Sequence, residues 1–407
     1  MEILAILVAQ ILIFPAVSGH LDVRYEWKYI DYVWENDEQK QSAIDAGDYD
    51  YTQIFTIDVD RARDGRVFVT TPKQNGVPAS LSIVSDENGD GGPLLKPYPD
   101  WSWHVKGDCD AITSVYRVTI DNCNRMWVLD TGKHGNDQVC EPQLVAFDLE
   151  NDSLVKRIKI PTEYAQSSTD PTKGLLITPA VETKGRHCEQ TWIYMADSDG
   201  RGLVISNGEH VRRLTDKSFD PDENHVNFTV AGESFQLADG LFSLALQPKT
   251  RPEYSTRLYY RPLASLKQYY VSTRQIERAS FMKSSLQPNY VTSDYTFPRQ
   301  VSAQAFSTNG ILFMGLTDPP AIICWNSDRR LTDRNVVTVA EDEETLQFTS
   351  GLKVRGRELW AFTNRYQKII TGSQDFGEVN FRILVETDIR KLVRHTACGE
   401  VGRQGGY

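Results

Sequence analysis

The chain has 407 residues, with 44 Lys and Arg against 55 Asp and Glu and a formal net charge of −11. That balance, without any basic run, argues against nucleic acid and anionic membrane surfaces as partners and is compatible with cationic ligands. The length would hold two or three ordinary domains, but a repeat architecture can use all of it as one.

An apolar run from Ile3 to Pro15 is followed by the small residues Ala16, Val17, Ser18 and Gly19. This reads as a secretory signal peptide cleaved after about Ser18 or Gly19, although Glu2 stands where a basic residue is usual. The run is short for a membrane span, and no later stretch approaches the needed length. The expected organisation is a leader over 1–18 and a single domain over 19–407. Residues 20–35, with Tyr25, Trp27, Tyr29, Tyr32 and Trp34, are aromatic and strand-like.

A two-strand unit then recurs. Phe55–Val59 is followed by Val67–Thr71, and Val115–Asp121 by Arg125–Asp130. The later copies are Leu176–Thr178 with Thr191–Asp197, Leu241–Gln247 with Arg257–Tyr260, and Ala303–Phe306 with Gly310–Gly315. The clearest copy is the last, Leu352–Val354 and Leu359–Phe362 joined by Arg355-Gly-Arg357. Alternating apolar residues around a Gly turn are a hairpin signal. Aligned on the second strand, the copies share an aromatic: Phe68, Trp127, Tyr194, Tyr259, Phe313 and Trp360, at intervals of roughly 47–67 residues. Repeats of this size, built from short strands, predict propeller blades. Six copies predict an all-β, six-bladed β-propeller with a central ligand channel. The aromatic should pack between adjacent blades, because no blade buries both faces alone. Such a ring must close, and the strand-like segment 20–35, or one just after it, is expected to complete the last blade beside residues 380–395.

Between the repeats, Asp86, Asn88, Asp90 and Gly91 match the front of a calcium loop, but Pro97 stands at the twelfth position, so a turn is expected. Residues 206–235 read as a charged surface insertion and 261–300 as long loops. Glu341–Glu344 reads as a solvated turn. The six cysteines, Cys109, Cys123, Cys140, Cys188, Cys324 and Cys398, predict up to three disulfides in an oxidising compartment. Cys324 is expected to pair with Cys398 and the other four among themselves. Asn151 and Asn227 head glycosylation sequons.

No H-E-x-x-H, G-x-S-x-G or phosphate-binding loop occurs. The seven histidines, His20, His104, His134, His187, His210, His225 and His395, show no metal-ligand spacing. No catalytic residue, metal or cofactor is therefore predicted. If the repeats superpose, the residues three past each aromatic (Thr71, Asp130, Asp197, Pro262, Leu316, Thr363) share one rim of the channel. Those four past it (Pro72, Thr131, Ser198, Leu263, Thr317, Asn364) share it too. Asp130 and Asp197 are the acidic candidates there.

Gly92–Leu95, Tyr98–Trp101, Val115–Asp121, Arg125–Gly132, Trp192–Asp197, Leu237–Gly240 and Gly351–Arg365 form a long colinear set. In these motifs the chain resembles the yellow / major royal jelly protein family, and within it the yellow-related proteins of sand-fly saliva. The resemblance implies a six-bladed propeller and a secreted, salivary, non-enzymatic carrier of biogenic amines such as serotonin, histamine and catecholamines. Sequestering them would counter vasoconstriction, platelet activation and inflammation. It places ligand binding on Thr349, Asn364 and Tyr366, where the family often has Phe at the last position. A hydroxyl, an amide and a ring suit a small aromatic amine. A monomer is expected. A dopachrome-converting enzyme, and a nutritive or structural secreted protein, are the alternatives.

Overall fold

The computed structural model describes residues 19–248, 256–282 and 287–399. The expected leader, residues 1–18, lies outside them. Six four-stranded antiparallel sheets form the blades of a propeller. The inner and second strands of each blade carry the repeat seen in the sequence. Blade 1 pairs Asp58–Arg61 with Val67–Thr70, and blade 2 pairs Val115–Ile120 with Arg125–Asp130. Blade 3 pairs Leu176–Lys184 with Gln190–Asp197, and blade 4 pairs Leu241–Leu246 with Arg257–Pro262. Blade 5 pairs Val301–Phe306 with Ile311–Thr317, and blade 6 pairs Phe348–Arg355 with Glu358–Asn364. Each inner strand packs against the next, and blade 6 against blade 1, so the inner strands close a ring.

The repeated aromatics sit where the repeat predicts. Phe68, Trp127, Tyr194, Tyr259, Phe313 and Trp360 are each buried on a second strand, and each belongs to a different apolar cluster built from two neighbouring blades. Side-chain hydroxyls join neighbouring inner strands. Thr178 donates to the Phe242 carbonyl (2.7 Å), Ser302 to that of Thr349 (2.6 Å) and Ser350 to that of Ile57 (2.6 Å). These bonds satisfy polar groups that the ring has removed from water.

The ring closes as expected. Asp22–Trp27 adds antiparallel to Phe381–Glu386, with Trp27 opposite Phe381, and becomes the outer strand of blade 6. A terminal strand here ties the two ends of the chain together and covers an otherwise unpaired edge. On the inner strands, Lys353 of blade 6 reaches across to blade 1, 2.8 Å from both carboxylate oxygens of Asp58.

Two expectations are corrected. Residues 261–300 are not long loops: Tyr269–Ser272 and Val291–Thr292 complete blade 4, with a helix over Thr273–Phe281 between them. The pairs Tyr259–Tyr270 and Tyr260–Tyr269, with centroids 5.3 and 5.6 Å apart, hold that sheet together. The 206–235 segment is not purely a surface insertion either. It contains Val211–Leu214 of blade 3 and most of a hairpin, Asn227–Val230 with Glu233–Gln236, whose Phe228 and Phe235 are buried. Asp86–Asp90 is the hairpin end expected between Leu81–Gly89 and Gly92–Pro97. In the 341–344 run, Asp342 caps its own turn by accepting from the backbone of Glu344 and Thr345.

The disulfides are Cys109–Cys140, Cys123–Cys188 and Cys324–Cys398, the last as expected. Cys123–Cys188 links blades 2 and 3, and Cys324–Cys398 fastens the C-terminal segment to blade 5. Thiol titration of the denatured, unreduced protein is expected to find none, and six after reduction; two reactive thiols before reduction would mean that one of these bridges is not formed. No helix among the described residues is long and apolar enough to cross a membrane.

Candidate binding site at one end of the axis

One feature of the inner strands builds the site. In blades 2 to 6 the pairing with the second strand slips at the N-terminal end of the inner strand. The slipped residues include Tyr116 and Arg117, Ile177, Phe242 and Ser350. A bulge breaks the strict alternation of a strand and re-aims a side chain. These five residues all line one cavity of about 170 Å³. The rest of its wall includes Phe55, Phe348, Asn364 and Tyr366, with Ser198, Leu263 and Asp239.

The wall is largely aromatic. Tyr366 lies 5.1 Å from Phe348 and edge-on to Phe235, 5.8 Å away. Phe235 belongs to the hairpin 227–236, which covers this end of the propeller and stacks Phe228 on Phe235 at 5.3 Å. The hairpin is tied to blade 6 by Lys368–Glu233 (2.9 Å) and to blade 5 by Gln300, which donates to the carbonyls of His225 and Asn227 (2.8 Å each).

The polar groups are few. Asn364 donates through Nδ2 to the Thr56 carbonyl (3.0 Å) and to Ser350 Oγ (3.1 Å), which leaves its buried Oδ1 without a partner. Ser198 Oγ is likewise buried and unpartnered. Arg117 forms the floor. Its Nε and Nη2 donate to the Ser350 carbonyl (3.2 and 2.9 Å), and its guanidinium lies 4.4 Å from the centre of the Phe242 ring. Beyond Arg117, which lines both, a second cavity of about 230 Å³ is walled by the inner strands of all six blades.

Asp239 stands half-buried where the first cavity meets an outer crevice. Burial pushes its carboxyl up to about 6; nearby Asp199 adds to the rise and Arg117 opposes it. Burial also raises the Tyr116 hydroxyl to about 12, lifts that of Tyr366 above its usual range, and pulls Arg117 below its own.

Of the rim positions counted from the repeat, Ser198, Leu263 and Asn364 reach the wall. Asp130 and Asp197 are fully buried and do not. Asp130 accepts from the backbone of Thr113, Ser114 and Gly132, and Asp197 from that of Leu175 and Gly200 while pairing with Arg213 at 2.8 Å. A short carboxylate at a strand end satisfies its own turn first. The rim carboxylate is Asp239 instead, carried on the stretch between the hairpin and blade 4. Its signal was the Leu237–Gly240 motif, which no strand periodicity marks. Of the three residues on which the resemblance places ligand binding, Asn364 and Tyr366 lie together in the wall, whereas Thr349 stands behind it. Its side chain packs where Gly315 leaves room: a Cβ on that glycine would lie 2.6 Å from the Thr349 Cβ. Thr349 Oγ1 is buried without a partner. Among the described residues no group of three or more His, Cys, Asp or Glu could hold a metal ion. Asn151 and Asn227 are both exposed.

A family model described as "Major royal jelly protein" matches residues 113–398. Major royal jelly protein 9 of Apis mellifera is 41% identical over 390 residues, covering 92% of this chain and 89% of that protein. Major royal jelly protein 8 of the same species is 41% identical, covering 94% of each. Among solved structures, virginiamycin B lyase of Staphylococcus aureus is 11% identical with a TM-score of 0.41, covering 82% of this chain and 94% of that one, too distant to carry an argument.

Proposed function

Starting from the fact that this chain belongs to the major royal jelly protein family, we propose that it is a secreted carrier that sequesters small aromatic biogenic amines in the capped axial cavity. The observation that carries this is the lining itself: aromatic rings around a small space, the free Oδ1 of Asn364 in the wall, and the Asp239 carboxylate at the mouth. Ring faces attract an ammonium, and a carboxylate in a partly desolvated mouth attracts it more strongly than in water. Serotonin, histamine and the catecholamines combine a flat ring with such a charge. In saliva, the setting taken from the sand-fly resemblance, removing them would blunt vasoconstriction, platelet activation and inflammation. The carrier acts without turnover, as a monomer with one site per chain, and glycans on Asn151 and Asn227 would suit its secretion.

Calorimetric titration of the mature protein against a panel of amines is expected to give one site per chain. Affinity should be flat above pH 6 and fall as pH drops through 6, because protonation removes the Asp239 charge that faces the ammonium. Binding should release protons near that pH, since the ammonium draws the carboxyl back down. No heat with any amine, or sustained conversion of dopachrome by the pure protein, would remove the carrier reading and favour the enzyme one.

A further inference from the structure

We infer that the cavity takes its ligand end-on, with a ligand oxygen accepting from the free N–H of Arg117 at the floor and the ammonium turned outward to Asp239, so that it selects hydroxylated aromatic amines over their deoxy counterparts. This rests on the carrier reading and names the ligand class of the same site.

Arg117 carries the inference. It is 5% exposed, and its Nη1 is buried with no hydrogen-bond partner. The rest of the group is already engaged: Nε and Nη2 hold the Ser350 carbonyl, and one face lies over Phe242. The bulge in the inner strand of blade 2 places it at the floor. A buried donor on a cation, left without an acceptor, is costly, and an oxygen that meets it gains a charge-assisted hydrogen bond. Asp58, which with Arg117 lines the second cavity, makes no hydrogen bond to that Nη1; its carboxylate is engaged by Lys353 and by the backbone N–H of Val118.

The same charge excludes the opposite orientation. An ammonium at the floor would face the guanidinium in a space with little water to screen it. At the mouth it meets Asp239 and the rings of Tyr116 and Tyr366. The two ends of the cavity thus carry opposite charge, and a ligand that fits both has an ammonium at one end and an oxygen acceptor at the other. A phenol or catechol oxygen on an arylethylamine has that arrangement.

The test is a calorimetric titration of the mature, full-length protein with two ligand pairs that differ by one hydroxyl: serotonin against tryptamine, and tyramine against phenethylamine. The hydroxylated member of each pair is expected to bind roughly tenfold to hundredfold more tightly, the range for a hydrogen bond to a charged group. In Arg117→Met, checked for folding by thermal melt, the members of each pair should converge. The parent comparison stands even if that variant fails to fold. Equal affinities within each pair overturn the inference and leave the carrier reading intact. 3-Ethyl-5-hydroxyindole, which keeps the ring and the hydroxyl but lacks the ammonium, should bind far more weakly than serotonin; equal binding would overturn the placement of the ammonium at Asp239. If none of the four amines binds, the carrier reading fails and this inference with it.

Discussion

Asp197→Ala is expected to lower the stability of the protein by about 3–5 kcal/mol, the range for removing one partner of a buried ion pair, while leaving the amine affinity of the folded protein unchanged. Asp197 is fully buried and Arg213 nearly so, its side chain 5% exposed. The carboxylate also holds the backbone N–H groups of Leu175 (2.7 Å) and Gly200 (2.8 Å), so the substitution strands a buried cation and two donors together. Arg213 keeps only its bonds to the carbonyls of Tyr164 and Gly200. Asp197→Asn keeps an oxygen for the backbone donors and should cost less. Chemical denaturation of the variants gives the stability, and stopped-flow association with serotonin gives the binding rate. An unchanged denaturation midpoint with slower, less salt-sensitive association would restore Asp197 to the rim as a steering charge.

Tyr366→Ala and Asn364→Ala should each weaken amine binding by roughly tenfold to hundredfold, the equivalent of losing a buried polar partner or a stacking face at about 1–3 kcal/mol. The two act differently. Tyr366 supplies a ring in the wall, so Tyr366→Phe, which keeps the ring, should be mild. Asn364 supplies Oδ1, but its Nδ2 also ties blade 6 to the Thr56 carbonyl before blade 1. Asn364→Ala therefore loses stability as well as affinity, and its melt must be measured before its titration is interpreted. Thr349→Val should change affinity less than either, because its side chain packs behind the wall. If Asn364→Ala and Tyr366→Ala, both folded, bind serotonin like the parent, the ligand sits elsewhere, and the larger cavity beyond Arg117 becomes the candidate.

What the sequence determined by itself was the repeat and everything that scales with it. Apolar alternation has a period of two, so strands can be read from a single chain. An aromatic at one register recurs because each blade buries it against its neighbour, and that made six blades countable from Phe68 to Trp360. The closing strand followed from topology, since a ring with loose ends leaves an unpaired edge. The Cys324–Cys398 pairing was also read correctly.

Tertiary structure alone decided which side chains face the axis. The bulges that turn Arg117, Ile177, Phe242 and Ser350 inward are single-residue slips in pairing, and nothing in a period-two pattern marks them. Counting positions from the aromatic therefore placed Ser198, Leu263 and Asn364 in the wall but also proposed Asp130 and Asp197, whose carboxylates turn back to their own backbone. Asp239 and the Phe228–Phe235 hairpin lie outside the repeat, between blades 3 and 4, where local composition reads as a charged surface segment. Only the packing of that segment over the ring end makes one a cap and the other the charge at its mouth.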